Sequence, residues 1–429
     1  MRKRALSVLA GLLTLGLPLA GTAGSAAAAA TPGSLDTTFG TGGEVVTGLN
    51  TSNTSVNGVA EQSNGDIVVG INFGAARFLP SGSLDRTFGT GGIVQAQPSF
   101  DAGAMTLQSD GKIVVVGNVE NPPGSPNGTF NIVVDRFTSS GSLDSGFGTG
   151  GVVTTAFPGE TAIEDATSVL QQPDGKLLVG GEVTTTGKTS PILGALARFN
   201  PDGSLDSTFG NGGRATFRSS TTILGQSTSV ARTLGLDPAG DIFVSPAQLE
   251  FSPSGQQDAN VTPAAITASS HGGLGIGFGG AYLASSQSVL GEALTVVKGD
   301  LDAQVQRFNA DGTLDTTFSN PPFDYGGQEG SGRDGITAVA IQSSGQTVVA
   351  GSHFAPFGTA GASLARINTN GSLDAGFGSG GTVTTAFAGL SSGYSAVVIQ
   401  SDGKIVAVGA AGDPTTGFTD LTLARYLSQ

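Results

Sequence analysis

The sequence predicts an all-β protein: a seven-bladed β-propeller of four-stranded antiparallel blades, its ring closed by an N-terminal strand that completes the C-terminal blade. Three observations carry this expectation. One phrase recurs along the chain, and residues 31–429 divided into seven give 57 residues per unit. Each unit contains four short strand patterns. The stretch after residue 30 opens on the turn into a fourth strand and stops at the end of a third.

The recurring phrase is Gly-Ser-Leu-Asp-x-x-Phe-Gly-x-Gly-Gly, standing at 33–43, 82–92, 141–151, 203–213 and 371–381. A variant at 312–318 lacks the glycine tail, and a decayed copy remains at 255–258. Its aspartates, Asp36, Asp85, Asp144, Asp206, Asp258, Asp315 and Asp374, are spaced by 49, 59, 62, 52, 57 and 59 residues. Self-similarity at such a period signals a repeat architecture rather than a set of unrelated domains.

Within each unit the first strand is a run of small and apolar residues, often ending in Gln, as at 104–108, 168–172, 338–342 and 396–400. An Asp-Gly-Lys turn follows at 110–112, 174–176 and 402–404. Asp-Gly between apolar runs marks a hairpin, because Gly accepts the positive φ such a turn demands. The second strand is continuously apolar (67–69, 113–116, 177–179, 348–350, 405–408), the pattern of a strand covered on both faces. The third is Ala-Arg followed by Phe, Ile or Tyr, at 76–78, 197–199, 365–367 and 424–426. The fourth is a short Val/Thr segment at 45–47, 152–154 or 383–385. A helical period is sustained at most within 285–297. Units of this length with four strands describe propeller blades. A parallel β-helix uses shorter coils, and a sandwich does not repeat this way. Pairing the two ends hides open sheet edges, whereas an open array needs capping units.

Composition narrows the function. The 38% apolar and 12% charged residues can build a large core, which argues against global disorder. The 70 glycines follow no Gly-X-Y period. The absence of Cys excludes disulfides, thiolate metal sites and a cysteine nucleophile. A net charge of -14 disfavours nucleic acid and anionic membrane surfaces. Arg2, Lys3 and Arg4, an apolar run over 5–20 and small residues over 21–30 have the pattern of a secretory signal peptide. The expected organisation is therefore a signal peptide at 1–30 and a single propeller domain at 31–429. Removing the first segment leaves 16 Lys and Arg against 33 Asp and Glu, a net charge of -17. The protein is expected to be secreted, extracellular, monomeric and without a membrane anchor.

The Gly-Ser-Leu-Asp-x-x-Phe-Gly-x-Gly-Gly phrase and the Asp-Gly-Lys-Ile-Val-Val-x-Gly phrase together resemble the delta-60 repeat β-propeller family of exported bacterial proteins. The likeness covers residues 31–429, with a departure around 249–282, where Glu250 stands at the arginine position and Ser270-His271-Gly272-Gly273 replaces the turn. The resemblance implies a fold and export. It implies no activity and no catalytic residues.

Six of the eleven arginines after residue 30 recur at one place in the third strand: Arg77, Arg136, Arg198, Arg307, Arg366 and Arg425. Five precede a phrase aspartate by eight residues: Asp85, Asp144, Asp206, Asp315 and Asp374. Arg425 has its counterpart in Asp36 at the other end of the chain. The expectation is a structural pair, since a guanidinium fork satisfies a carboxylate well in a partly buried place, with Phe39, Phe88, Phe147, Phe209 and Phe377 as apolar plugs. An anion-binding arginine ring is the alternative. No cofactor and no metal site are expected. The oxygen-rich loops at 309–315 and 200–206 leave Ca2+ as an alternative to plain Asx-Gly turns.

In a four-stranded blade the two repetitive turns lie on one side and the variable loops on the other, and function lives on variable loops. These loops are 118–131, 182–194, 282–302, 319–335, 353–361 and 410–420. The candidate ligand-face residues are Asp101, Asp165, Asp334, Arg333, Tyr394 and His353, with the three acids expected around the channel mouth, where they would attract cationic groups. The expected function is a non-enzymatic binding module for an extracellular glycan, peptide or protein. The alternative is an extracellular carboxylate-based glycoside hydrolase or lyase.

Overall fold

The computed structural model describes residues 31–429 apart from 50–54, 97–99, 122–128, 158–162, 185–191, 219–221, 224–225, 228, 237–238, 247–248, 259–278, 283–287, 298–299, 310–314, 327–332, 355–359, 388 and 413–417. The chain divides into two units, Met1–Ala30 and Thr31–Gln429, and all described residues lie in the second. His271 and parts of every nominated variable loop lie outside the described residues.

Among the described residues every regular element is a strand. Val56–Glu61, Ile67–Ile71, Gly74–Phe78 and Ile93–Gln95 form a four-stranded antiparallel meander. The same order recurs in Phe100–Leu107, Ile113–Asn121, Thr129–Phe137 and Val152–Thr155. It recurs again in Ile163–Gln171, Leu177–Thr184, Ile192–Phe199 and Arg214–Phe217, and in Arg333–Ile341, Thr347–Phe354, Ala360–Ile367 and Thr382–Thr385. Two further antiparallel groups lie between the last two. Ala231–Leu236, Ile242–Pro246 and Leu249–Phe251 form one. Gly279–Tyr282, Ser288–Val297 and Asp300–Phe308 form the other. Ser288–Val297, the described part of the stretch with a helical period, is therefore a strand.

The last sheet is built from both ends of the described chain. Ser391–Ile399, Ile405–Gly412 and Thr419–Tyr426 pair in sequence, and Glu44–Val46 adds the fourth strand, with Val45 opposite Leu423. Side chains of the first and last sheets share one apolar core, among them Ile67, Phe78, Val406 and Leu423. The second and third strands are covered on both faces: all five residues of Ile67–Ile71 and all eight of Ala360–Ile367 are buried.

The repetitive phrase is explained atom by atom. In six units the arginine Nε donates to Oδ2 of the phrase aspartate, at 2.9 Å for Arg77–Asp85, 2.8 Å for Arg136–Asp144, Arg198–Asp206 and Arg307–Asp315, 2.7 Å for Arg366–Asp374 and 2.9 Å for Arg425–Asp36. The other carboxylate oxygen accepts the amide two residues on, and in Asp36, Asp85, Asp206 and Asp315 also the threonine hydroxyl there. In Asp144 and Asp374 the residue two on is Gly, and only the amide donates. Lys112, Lys176 and Lys404 of the Asp-Gly-Lys turns approach Asp144, Asp206 and Asp36 within 3.4, 3.2 and 3.3 Å. The guanidinium carbon lies 4.3–4.7 Å from the centroid of the phrase phenylalanine in all six units, within cation–π range.

The same guanidinium reaches out of its own unit. Nη1 donates to a backbone carbonyl of the following unit: Arg77 to Ser139 (2.6 Å), Arg136 to Pro201 (2.7 Å), Arg198 to Pro253, Arg307 to Thr369 (3.0 Å) and Arg366 to Ser428 (2.6 Å). Arg425 donates to Pro80 O (2.7 Å), back in the first unit. Glycine makes the close approach possible. Gly203 has φ of 89°, and a Cβ there would stand 2.7 Å from the amide nitrogen of Gly148 in the preceding unit.

Two outcomes follow from this network. Arg198→Ala leaves the buried Asp206 with Lys176 in place of the guanidinium fork and should destabilise the fold by about 2 kcal/mol; an unchanged melting temperature would overturn the structural role. Burial pushes Asp36 up, but the Thr38 donors, Arg425 and Lys404 outweigh it and bring the carboxyl to about 2. Asp85, Asp144, Asp206, Asp315 and Asp374 are likewise held below their ordinary value. A depressed carboxyl contributes stability that is complete above the unfolded-state value near 4 and is lost as pH falls through the folded-state value. Melting temperature should therefore fall steeply between about pH 4 and 2, and a flat acid limb would contradict the assignment.

Candidate functional site

Four of the sheets share one register at the end opposite their first hairpin turn, set by a bulge in the first strand. One residue stays unpaired there: Gly103, Thr167, Thr337 and Ser395. Counting back from the bulge, the first paired position holds Ala102, Ala166, Ile336 and Tyr394, each opposite a glycine (Gly117, Gly181, Gly351, Gly409). The second holds Asp101 opposite Asn118, Asp165 opposite Glu182, Gly335 opposite Ser352 and Gly393 opposite Ala410. The third holds Phe100 opposite Val119, Glu164 opposite Val183, Asp334 opposite His353 and Ser392 opposite Ala411.

Because strand side chains alternate in direction, the first and third positions share the buried face and the second points the other way. Burial follows this parity: Ala102, Ala166, Ile336, Tyr394, Phe100, Glu164, Asp334 and Ser392 are all buried, whereas Asp101 is exposed and Asp165 and Glu182 are half-buried.

Two sequence expectations are corrected by this register. Tyr394, nominated for the ligand face, occupies the first position and lies in the core, its hydroxyl bonded to that of Tyr426 and its ring edge-on to Phe387. Asp334 is not equivalent to Asp101 and Asp165. It stands one residue further out and so faces the buried side. Arg333 opens its strand opposite Phe354, and its side chain lies outside the described residues.

Asp101, Asp165 and Glu182 make an acidic patch across neighbouring sheets. Asn118 donates Nδ2 to Asp165 Oδ1 at 3.1 Å, linking one sheet to the next. Burial raises the Asp165 carboxyl, Asn118 opposes this, the Asp101 charge adds to it and Arg232 offsets part. Glu182 is raised by burial and by Asp165, with Arg232 again opposing. Glu182 and Asn118 were not singled out from the sequence as site residues, since each is one polar residue without a repeated phrase around it.

On the buried face, His353 Nδ1 lies 2.7 Å from Asp334 Oδ1 and 3.6 Å from Asp324 Oδ1. The Tyr325 amide donates to Asp334 Oδ2 at 2.9 Å. Burial pushes the Asp334 carboxyl well up, and the Asp324 charge adds to this, while His353 and the Tyr325 amide oppose. Glu164, at the equivalent place, accepts the Phe157 amide at 2.6 Å, so a carboxylate that fixes the incoming connection is a shared device. Among the described residues the imidazole is particular to one sheet. Tyr325, Gly326 and His353 line a cavity of about 580 Å3. Asp324 carries no sequence signal, because it sits in a connection without a counterpart in the other units. In the loop at 200–206, Asp202 accepts the Ser204 amide and hydroxyl and Asp206 is held by Arg198.

The family model described as "Domain of unknown function (DUF5122) beta-propeller" matches residues 108–147, 172–209, 289–318, 342–377 and 400–429. No curated protein matches the chain. Among solved structures, a catalytically inactive virginiamycin B lyase from Staphylococcus aureus with quinupristin is similar at 13% identity and a TM-score of 0.47, over 89% of this chain and 99% of that one. A gluconolactonase from Xanthomonas campestris is similar at 10% identity and 0.38, over 87% and 86%. A Trypanosoma rangeli sialidase in complex with 2,3-difluorosialic acid gives 10% and 0.38, over 89% and 59%.

The inter-sheet bond can be checked directly. Asn118→Ala removes a donor that favours the ionised form, so the Asp165 carboxyl should titrate higher than in the wild type by carboxyl NMR. An unmoved titration would remove Asn118 from the patch.

Proposed function

The chain belongs to the delta-60 repeat, DUF5122, β-propeller family, and on that premise we propose that it is an exported, non-enzymatic binding module. Its seven blades close into one ring, residues 1–30 direct its export, and the variable end of the ring takes an extracellular glycan, peptide or protein. Closure is supported by the Glu44–Val46 strand beside Thr419–Tyr426 and by Arg425 bonding Pro80 O.

The observation that carries the binding reading is the contrast between the two ends of the sheets. At one end, six units repeat the same arginine, aspartate and phenylalanine contacts. At the other, equivalent register positions hold Asp and Asn, Asp and Glu, Gly and Ser, or Gly and Ala. A frame kept constant while one surface varies is the arrangement of a recognition scaffold. The half-buried Asp165 and Glu182 beside Asp101 favour a ligand presenting cationic or hydroxyl groups, because carboxylates screened from water interact strongly with both.

Glycan and peptide arrays probed with the purified chain test this. Binding should depend on Asp165→Asn and Glu182→Gln and survive Arg198→Lys in folded protein. Since both carboxyls titrate above their ordinary range, attraction of a cationic ligand should weaken as pH falls, from a higher pH than ordinary carboxylates would impose. Arrays with no hits, or hits indifferent to both substitutions, would reject the patch as the binding surface. Turnover of an array glycan would instead favour the hydrolase or lyase reading.

A further inference from the structure

The arrangement at the edge of the 580 Å3 cavity points to a second kind of site. We propose that Asp324, Asp334 and His353 bind a divalent transition cation of the Zn2+ class. One donor atom from each residue lies within 4.8 Å of the other two. Ligands held about 2.0–2.2 Å from zinc in a tetrahedron stand roughly 3.3–3.6 Å from one another, and the Nδ1–Oδ1 distances are 2.7 and 3.6 Å. Small shifts of side chains would seat an ion.

The donors are oriented for it. The Tyr325 amide holds Oδ2 of Asp334, which leaves Oδ1 directed at the imidazole; outer hydrogen bonds of this kind fix ligating carboxylates. His353 presents Nδ1 to both carboxylates, while Nε2 packs against Gly326, where a Cβ would come within 2.8 Å of Nε2 and 3.1 Å of Asp324 Oδ1. That packing disfavours Nε2 as a general base facing substrate. A mixed imidazole and carboxylate set suits zinc and its neighbours, whereas calcium takes oxygen ligands.

An independent observation points to a missing ligand. Tyr325 is 3% exposed, and its hydroxyl has no hydrogen-bond partner among the described residues. It lines the same cavity as His353. Buried hydroxyls are ordinarily satisfied, and a metal-bound water supplies such a partner. The fold itself does not require this trio. The same places hold Phe100 and Val119, Glu164 and Val183, or Ser392 and Ala411 in other sheets.

The chain has two histidines and no cysteine, so an imidazole-bound ion has two possible addresses. The full chain, stripped with EDTA, is titrated with ZnCl2 by calorimetry and with Co2+ by visible absorption. One equivalent of each should bind, with cobalt bands typical of a low-coordinate site. His271→Gln should leave binding unchanged, and His353→Gln, Asp324→Asn and Gly326→Ala should each weaken it more than about tenfold. Absence of binding in the wild type, or binding that follows His271 instead of His353, overturns the proposal. Where a His353 or Asp324 variant folds poorly, the His271→Gln titration decides: retained binding leaves His353 as the imidazole ligand, and lost binding overturns the proposal. No organic ligand enters the experiment, so its outcome is separate from that of the arrays.

Discussion

The structure depends on one guanidinium used three ways. In each of six units it neutralises the aspartate of its own loop, lies over the phenylalanine of the same phrase and donates to a carbonyl of the next unit. The planar fork allows this, because its donors point along fixed directions around a weakly hydrated, always charged group. A lysine would supply the charge without the geometry. The unit with Glu250 at the arginine position interrupts the series, and a repeat array tolerates such a loss when neighbouring interfaces carry the stability.

The same rigidity makes the opposite end permissive. With the core strands buried on both faces and the loops pinned at one side, side chains at the far end are free of the repeat's packing demands. Two separate chemistries appear there, divided by strand parity. Polar side chains of the half-exposed face meet across sheets, as the Asn118 amide and the Asp165 carboxylate do. Those of the buried face turn inward and tie down the connection that precedes their strand, as Glu164 and Asp334 do. The histidine at 353 replaces an aliphatic residue of that inner face, which places an ionisable ring where other sheets carry Val or Ala.

Much of the architecture was legible in the sequence because identical contacts demand identical residues. The eight-residue interval from arginine to aspartate appears in five units, and a threonine hydroxyl two residues after the aspartate recurs in four. The placement of Asp334 and Tyr394 was not legible. Which face a residue meets depends on the bulge after it, and the unpaired residue is Gly103, Thr167, Thr337 or Ser395, with no common type to announce it. Asp324 was hidden for a different reason. Its meeting with His353 is made by a connection of irregular length, and no periodicity reports on such a contact.

The sheet that joins the two ends imposes an order of events. Asp36 and Arg425 lie 389 residues apart, so the Glu44–Val46 strand must wait, unpaired at its edge, until residues 419–426 have been made. Loop-closure entropy grows only slowly with length, so the delay is kinetic more than energetic. A ribosome that stalls before the last hairpin leaves a chain whose first segment has nothing to zip against, and such a product is marked for proteolysis by its own exposed edge.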